Sequence, residues 1–240
     1  MRALSVAVLP ALAFAAMPAW AQRPDRAVET PIVRSFNWFG YVGGDDIRAA
    51  CKPGGRNRVR LVYNGIWREQ VRTYELILQP DGTAGLSVGV LQAQGSGADL
   101  SSLFVNNGTD VLSPWGMRKG QRVLEVADTR ELVGLLEASA AFGPPKDGLR
   151  LPDNDFWWTV ASCRDGAWGF QAYHHPTDGF VKAKFAQKLL ALDPVAIAVN
   201  MPRKLEPAEL RRDLNAPGRQ SFKQQIDWML VVGKDGLRPR

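Results

Sequence analysis

Two segments of this sequence place strand-forming residues on both sides of a tight turn, and this pattern restricts the fold more than any other feature. The first segment, residues 67–92, has Pro80-Asp81-Gly82 at its centre, and the second, residues 156–174, has Arg164-Asp165-Gly166. In the first segment apolar residues alternate with polar ones, and because successive side chains of a strand point to opposite faces, this predicts a β-hairpin with one apolar face. The second segment predicts a further β-hairpin. The four predicted strands are residues 67–79, 83–92, 156–163 and 167–174.

Two further stretches have helical periodicity. Apolar residues recur at helical spacing across residues 129–142, and Asp128 with Glu131 three positions later forms a capping-box pattern at the start. A second helix is predicted for residues 179–192, with Asp178 as its N-cap. We also expect short helices at residues 45–51 and 206–214, strands at residues 36–42, 58–63 and 222–232, and a loop-like segment at residues 95–120.

The predicted elements define a fold class. Strands outnumber helices, and hairpins rather than strand-helix-strand crossovers connect them, so we expect an α+β fold of mainly antiparallel β-hairpins packed with two or three short helices. The predicted organisation is a single globular domain at residues 35–233, with an extended leader at residues 22–34 and a flexible tail at residues 234–240. A join between two subdomains near residues 143–155 is the alternative, because a hairpin followed by a helix occurs on each side of it.

The first 21 residues have the pattern of a secretory signal peptide. Arg2 precedes an apolar run at residues 3–16, and Pro18 leads to the small-residue cleavage site Ala19-Trp20-Ala21. The run is shorter than the roughly 20 apolar residues needed to cross a bilayer, and no later segment reaches that length, so no transmembrane segment is expected. Abundant Arg, Ala and Gly are typical of bacteria with GC-rich genomes. We therefore expect a soluble protein exported to the bacterial periplasm or the medium.

The chain contains two cysteines, Cys51 and Cys163. In an exported protein these thiols meet an oxidising environment, which favours a disulfide between them over two buried free thiols. In the loop-entropy model, closing about 110 residues would stabilise the fold by roughly 4 to 5 kcal/mol. Neither residue belongs to a Cys-x-x-Cys pair, so a thioredoxin-like role is not supported. A nucleophilic cysteine paired with His174 is a less favoured alternative.

The formal net charge of +6 is a mild basic surplus. Arg56, Arg58 and Arg60 form its densest run, and on a strand their side chains would point the same way. Such a stripe suits an acidic polysaccharide, a lipid phosphate or an acidic partner, whereas a solvated surface is the simpler interpretation. Nucleic-acid binders concentrate basic residues more strongly, and we expect no nucleic-acid partner.

Residues 85–89 match the G-x-S-x-G pattern of serine hydrolases, with Ser87 as the nucleophile. Asp155 and His174 follow in the chain order of an α/β-hydrolase triad, and Asp153 and His175 are their neighbouring alternatives. That motif requires a strand directly before the serine and a helix directly after it. Here a turn precedes the motif and a strand-like run follows it. A serine hydrolase using Ser87 with His174 is therefore the alternative function, and a hairpin strand is the preferred interpretation.

No metal or cofactor is expected. His174 and His175 are the only histidines, and adjacent residues of a strand point to opposite faces, which prevents both from binding one metal ion. The Asp153-Asn154-Asp155 spacing resembles the start of a calcium loop but lacks the following Gly and the distal Glu. The glycine-rich segments lack the spacing of phosphate-binding loops.

Aromatic residues of the second predicted hairpin are the candidate contact surface. Trp157 and Trp158 are adjacent, so one ring would enter the core and the other would face outward, near Tyr173, for contact with a sugar or a protein. The leading hypothesis is thus a non-enzymatic binding or accessory module of the bacterial cell envelope. Its partner would be an unidentified envelope protein or glycan.

Overall fold

The structure is a computed structural model that describes residues 38–67, 69–92, 117–204 and 228–238. All of these residues belong to one compact unit, Phe36–Arg240. Its described helices are α1 (Trp38–Gly43), α2 (Asp45–Ala50), α3 (Val126–Ala138), α4 (Asp178–Val181) and α5 (Phe185–Ala191). Its described strands are β1 (Arg58–Gly65), β2 (Gln70–Leu78), β3 (Ala84–Gln92), β4 (Arg118–Leu124), β5 (Arg150–Pro152), β6 (Phe156–Arg164), β7 (Ala167–His174), β8 (Met229–Gly233) and β9 (Gly236–Leu237).

A six-stranded sheet with the order β4-β3-β2-β1-β6-β7 forms the centre of the fold. Every neighbouring pair in it is antiparallel. Strands β5, β8 and β9 form a second, smaller sheet. The predicted α+β class built mainly from antiparallel hairpins is therefore confirmed.

The two faces of the six-stranded sheet are covered by different elements. Leu61, Tyr74 and Val88 lie on one face, where they pack against α3 and α5. Val62 and Trp157 lie on the other face, beneath α1, α2 and the smaller sheet. We call these the α3–α5 face and the α1–α2 face. Both predicted hairpins are present, and the burial of side chains on both faces of the sheet fixes the register of their strands.

The segment predicted as a first strand is helix α1 instead. Trp38, Tyr41 and Val42 are spaced three and four positions apart, which places them on one side of a helix. The Trp38 ring stacks on Tyr41 at 5.9 Å between ring centroids, and Trp38 and Val42 are buried. These residues form a helix rather than a strand because the helical spacing places their apolar side chains together on the side that covers the sheet. The short helix predicted directly after it is present as α2.

The predicted capping box of the long helix is wrong. Helix α3 begins at Val126, with Glu125 as its N-cap, so Asp128 already lies within the first turn. The Asp128 and Glu131 carboxylates instead accept hydrogen bonds from Lys188 Nζ of α5 at 2.8 and 2.7 Å. The two acidic side chains therefore join two helices rather than cap one.

Other predicted boundaries also change. The helix predicted at residues 179–192 is divided into α4 and α5, and Thr177 rather than Asp178 is the N-cap of α4. Of the loop-like segment predicted at residues 95–120, residues 118–120 belong to β4 and residues 95–116 lie outside the described residues, while the predicted tail contributes β9. The closing strand is β8, and residues 222–227 of its predicted range lie outside the described residues, as do the helix predicted at residues 206–214 and the signal peptide.

The predicted disulfide between Cys51 and Cys163 is present, with an S–S distance of 2.01 Å and Cα atoms 5.5 Å apart. It connects the end of α2 to β6.

Within the described ranges, no helix has the length and hydropathy needed to cross a membrane.

Candidate functional site

The G-x-S-x-G segment lies within strand β3, and the alternation of the strand explains its composition. Leu86 and Val88 point to the α3–α5 face and are buried. Gly85, Ser87 and Gly89 point to the α1–α2 face, where they add almost no side-chain volume. A depression therefore runs along β3 between its two neighbouring strands.

Side chains of β2 and β4 form the two sides of this depression. Glu75, Ser87 and Gln121 lie directly opposite one another on β2, β3 and β4. Thr73, Gly89 and Lys119 form the next row. Tyr41 and Met117 line the same pocket, whose volume is about 220 Å³. We call this pocket the β3 groove.

Glu75 is held by two arginines of β1. Arg58 donates from Nε and Nη2 to the two carboxylate oxygens at 2.8 and 3.2 Å, and Arg60 donates from Nε to Oε1. Arg60 is only 2% exposed. The carboxylate is thus fixed in place at the edge of the β3 groove, and its charge is neutralised by its neighbours.

Asp46 of α2 completes this ionic network. It accepts two hydrogen bonds from Arg60 at 2.7 and 2.9 Å and an ion pair from Arg58 at 2.9 Å. Partial burial raises the pKa of Asp46, but the hydrogen bonds and charges of Arg60 and Arg58 outweigh it and hold the pKa below its usual value. Arg58 and Arg60 therefore share one face as expected, and they are paired with carboxylates rather than forming a free basic stripe.

Tyr41 links the network to the β3 groove. The Arg60 guanidinium lies 3.7 Å from the centroid of the Tyr41 ring and donates from Nη1 to the Tyr41 carbonyl oxygen at 2.9 Å. Burial raises the pKa of the Tyr41 hydroxyl, which keeps it neutral at physiological pH. Helix α1 is therefore fixed against the sheet at one end of the β3 groove.

The structure does not bring the proposed hydrolase triad together. His174 Nε2 and Asp155 Oδ2 are 2.9 Å apart, so this pair forms as expected. Ser87, however, lies on β3, four strand positions from His174 on β7, which corresponds to about 19 Å across the sheet. Ser87 therefore cannot use His174 as its general base in this fold, and the predicted combination is wrong.

The predicted contact surface on the second hairpin is not accessible. Trp157 is fully buried on the α1–α2 face, and Trp158 is 2% exposed on the α3–α5 face, where Tyr173 is 4% exposed. Trp157 donates from Nε1 to the Pro152 carbonyl oxygen at 2.7 Å, and Tyr173 donates from its hydroxyl to the Ser139 carbonyl oxygen at 2.8 Å. The expected outward ring is absent because both faces of β6 are covered.

The two histidines differ in their surroundings. His174 pairs with Asp155, while the His175 ring contacts Phe156 and Phe180 edge-on at 6.0 and 5.3 Å between ring centroids. In the described part of the chain, no cluster of three or more His, Cys, Asp or Glu side chains is arranged to hold a metal ion.

Most residues that line the β3 groove were not predicted from the sequence. Lys119 of β4 was expected in the loop-like segment at residues 95–120, and no role was predicted for Gln121, Thr73 or Glu75. The detectable signal was the small-residue alternation of Gly85, Ser87 and Gly89. The chain matches no protein-family model and no curated protein.

Proposed function

We propose that this chain is an exported, non-enzymatic binding module of the bacterial cell envelope that holds a small polar ligand in the β3 groove. The observation that carries the proposal is the row of small residues on β3, which leaves space between side chains of β2 and β4. Ser87 and Gln121 offer a hydroxyl and an amide directly opposite each other, and Lys119 offers an ammonium group in the next row. These groups suit a ligand that carries hydroxyl or carboxylate oxygens.

The size of the groove supports a small ligand. Its volume of about 220 Å³ is below the range of roughly 300–1,000 Å³ typical of sites for drug-sized molecules. Amino acids, dipeptides, short hydroxy acids and monosaccharides are therefore the probes to use. Among the described tryptophans, Trp157 and Trp158 are buried, which makes recognition of a glycan by stacking on these rings the weaker alternative.

The test of this proposal is NMR titration of the ¹⁵N-labelled, oxidised protein with those four classes of compound. We expect at least one class to shift amides of β2, β3 and β4. Ser87→Leu fills the floor of the groove and should remove the response. Gln92→Leu places the same side chain on an exposed position of β3 but on the opposite face, and it should keep the response. A set of compounds that leaves all groove amides unmoved contradicts the proposal.

The hydrolase alternative has its own test. An active-site-directed fluorophosphonate should leave Ser87 unlabelled, because a serine hydroxyl without a general base is a weak nucleophile. Labelling that disappears in Ser87→Ala would contradict a non-enzymatic role.

Export is proposed from the N-terminal pattern together with the disulfide. Intact-mass analysis of the protein from its native host should give a chain that begins at Gln22 and contains the oxidised cysteine pair. A native product that retains Met1 and two free thiols contradicts export.

A further inference from the structure

Strand β4 ends the six-stranded sheet, and within the described residues it pairs with β3 alone. An edge strand presents backbone N–H and C=O groups that an added strand can bind. Arg118, Lys119, Gln121 and Arg122 are all exposed, and Val123 is 67% exposed. Among the strands that the structure describes, none occupies the side of β4 away from β3.

The charge of β4 restricts what can add to it. Arg118, Lys119 and Arg122 are basic, and the strand contains no acidic residue. Like charges directly opposite each other destabilise a strand pair, so pairing with β4 of a second copy is disfavoured. A strand with acidic side chains has the complementary charge.

The distribution of these charges over both faces favours a peptide over another polyanion. Arg118 and Arg122 lie on the α3–α5 face, opposite Val90 and Leu86 of β3. Lys119 lies on the α1–α2 face, opposite Gly89. A polysaccharide passing along one face of the sheet contacts one of these sets, whereas a β-strand directs alternate side chains to both faces with the same two-residue period.

We propose that the β4 edge binds an extended acidic peptide as an added antiparallel strand. Lys119 also lines the β3 groove, but this proposal does not rest on the ligand proposed for the groove. In antiparallel register, the peptide positions opposite Arg122, Lys119 and Arg118 are the first, fourth and fifth of a five-residue stretch. The preferred pattern is therefore Glu-x-x-Glu-Glu, preceded by an apolar residue opposite Val123. Main-chain hydrogen bonds provide affinity, and the three carboxylates provide register.

The binding test uses fluorescence anisotropy of the dye-labelled peptide Thr-Val-Glu-Thr-Thr-Glu-Glu with the oxidised full chain. The matched control peptide, Thr-Val-Glu-Thr-Glu-Thr-Glu, has the same composition but places all three carboxylates on one face. We expect the first peptide to bind more tightly. Equal binding of the two peptides would mean nonspecific charge attraction and would overturn the proposal. The proposal would also be overturned if an acidic oligosaccharide displaced the labelled peptide as well as the unlabelled peptide does.

Charge reversal on the protein provides a second test. Arg118→Glu combined with Lys119→Glu should weaken the acidic peptide at least about tenfold and strengthen a peptide with Lys in place of Glu. Both positions are exposed, and a thermal unfolding curve checks that the variant folds. A variant that folds and still prefers the acidic peptide contradicts the proposal.

A third experiment, with peptides methylated on the backbone, distinguishes an added strand from binding through side chains alone. Two versions of the peptide are methylated on alternate sets of backbone nitrogens. The version methylated on the amides that face β4 should lose binding, and the other version should keep it, because only one set of amides faces β4. Equal binding by both excludes an added strand. Ser87→Leu should leave peptide binding unchanged, so failure of the groove proposal and failure of this one are distinguishable.

Discussion

Cys51 and Cys163 join the end of helix α2 to strand β6 across 112 positions of sequence. Helix α2 also supplies Asp46 to the arginines that hold Glu75, and α1 before it supplies Tyr41 to the β3 groove. The disulfide therefore fixes α2, which directly follows the helix whose Tyr41 lines one end of the groove. The disulfide and the β3 groove are therefore connected through the short segment that forms α1 and α2.

Replacing both cysteines by Ala should lower the free energy of unfolding by about 5 kcal/mol, because the unfolded chain regains the entropy of a 112-residue loop. Urea unfolding measures this loss. Dithiothreitol should cause a similar loss in the natural protein and none in the variant, which is the matched control. Equal stability of the oxidised protein and the double variant contradicts the assigned role of the disulfide.

The two glycines of the G-x-S-x-G segment should respond oppositely to substitution. A Cβ at Gly85 meets nothing within 4 Å, so Gly85→Ala should stabilise the protein by about 0.4–1 kcal/mol. A Cβ at Gly89 would lie 2.8 Å from Thr73 Oγ1 and 2.9 Å from Met117 Sδ. Gly89→Ala should therefore cost about 1–3 kcal/mol. Thermal and urea unfolding of the two variants test this, and effects of the same sign would contradict the described packing.

The sequence was sufficient to predict both hairpins and the disulfide. The strand-forming residues on both sides of Pro80-Asp81-Gly82 and Arg164-Asp165-Gly166 are local signals, and the compartment inferred from the leader favours oxidation of Cys51 and Cys163. Each of these features depends on short-range pattern or on composition. They can therefore be predicted without knowledge of the tertiary packing.

The candidate site was not predictable in the same way. Strand β4 has the sequence RKGQRVL, which lacks the apolar alternation of a half-buried strand because it is the exposed edge of the sheet. The pairing of Arg60 with Glu75 and Asp46 depends on β1, β2 and α2 meeting in space. The letters of a hydrolase motif were present, whereas the distance between Ser87 and His174 follows from the order of the strands.

The stability of the protein should depend on Asp46 at low pH. The pKa of Asp46 is lowered in the folded protein, so its ionised form stabilises the fold above the usual carboxyl pKa of about 4. This contribution is lost as the pH falls through the lowered pKa. Asp46→Asn should therefore be less stable than the natural protein at pH 7, and the difference should shrink toward about pH 2. Urea unfolding across this range measures it, and a difference that is independent of pH contradicts the ionic network.

The buried ion pair of Arg72 and Asp193 should contribute more to stability than the half-exposed Asp46 does. Arg72 and Asp193 have side chains that are 0% and 4% exposed, and Arg72 also donates to the Ile197 carbonyl oxygen, while Tyr74 donates to Asp193 at 2.9 Å. Asp193→Ala leaves the Arg72 guanidinium buried without its carboxylate and should cost about 3–5 kcal/mol. Urea unfolding provides the measurement, and amide exchange at residues 195–200 should accelerate because this segment is held by the same network.

Two controls separate this effect from the loss of any polar contact. Tyr74→Phe removes one hydrogen bond to the same carboxylate and should cost about 1.5–3 kcal/mol. Glu137→Ala breaks the ion pair with Arg164, whose side chains are 54% and 31% exposed, and should cost less than about 1 kcal/mol. The expected order of destabilisation is Asp193→Ala, Tyr74→Phe and then Glu137→Ala. If Asp193→Ala costs no more than Glu137→Ala, the buried pair does not anchor the segment that follows α5, and the packing of residues 193–200 on β2 must depend on apolar contacts instead.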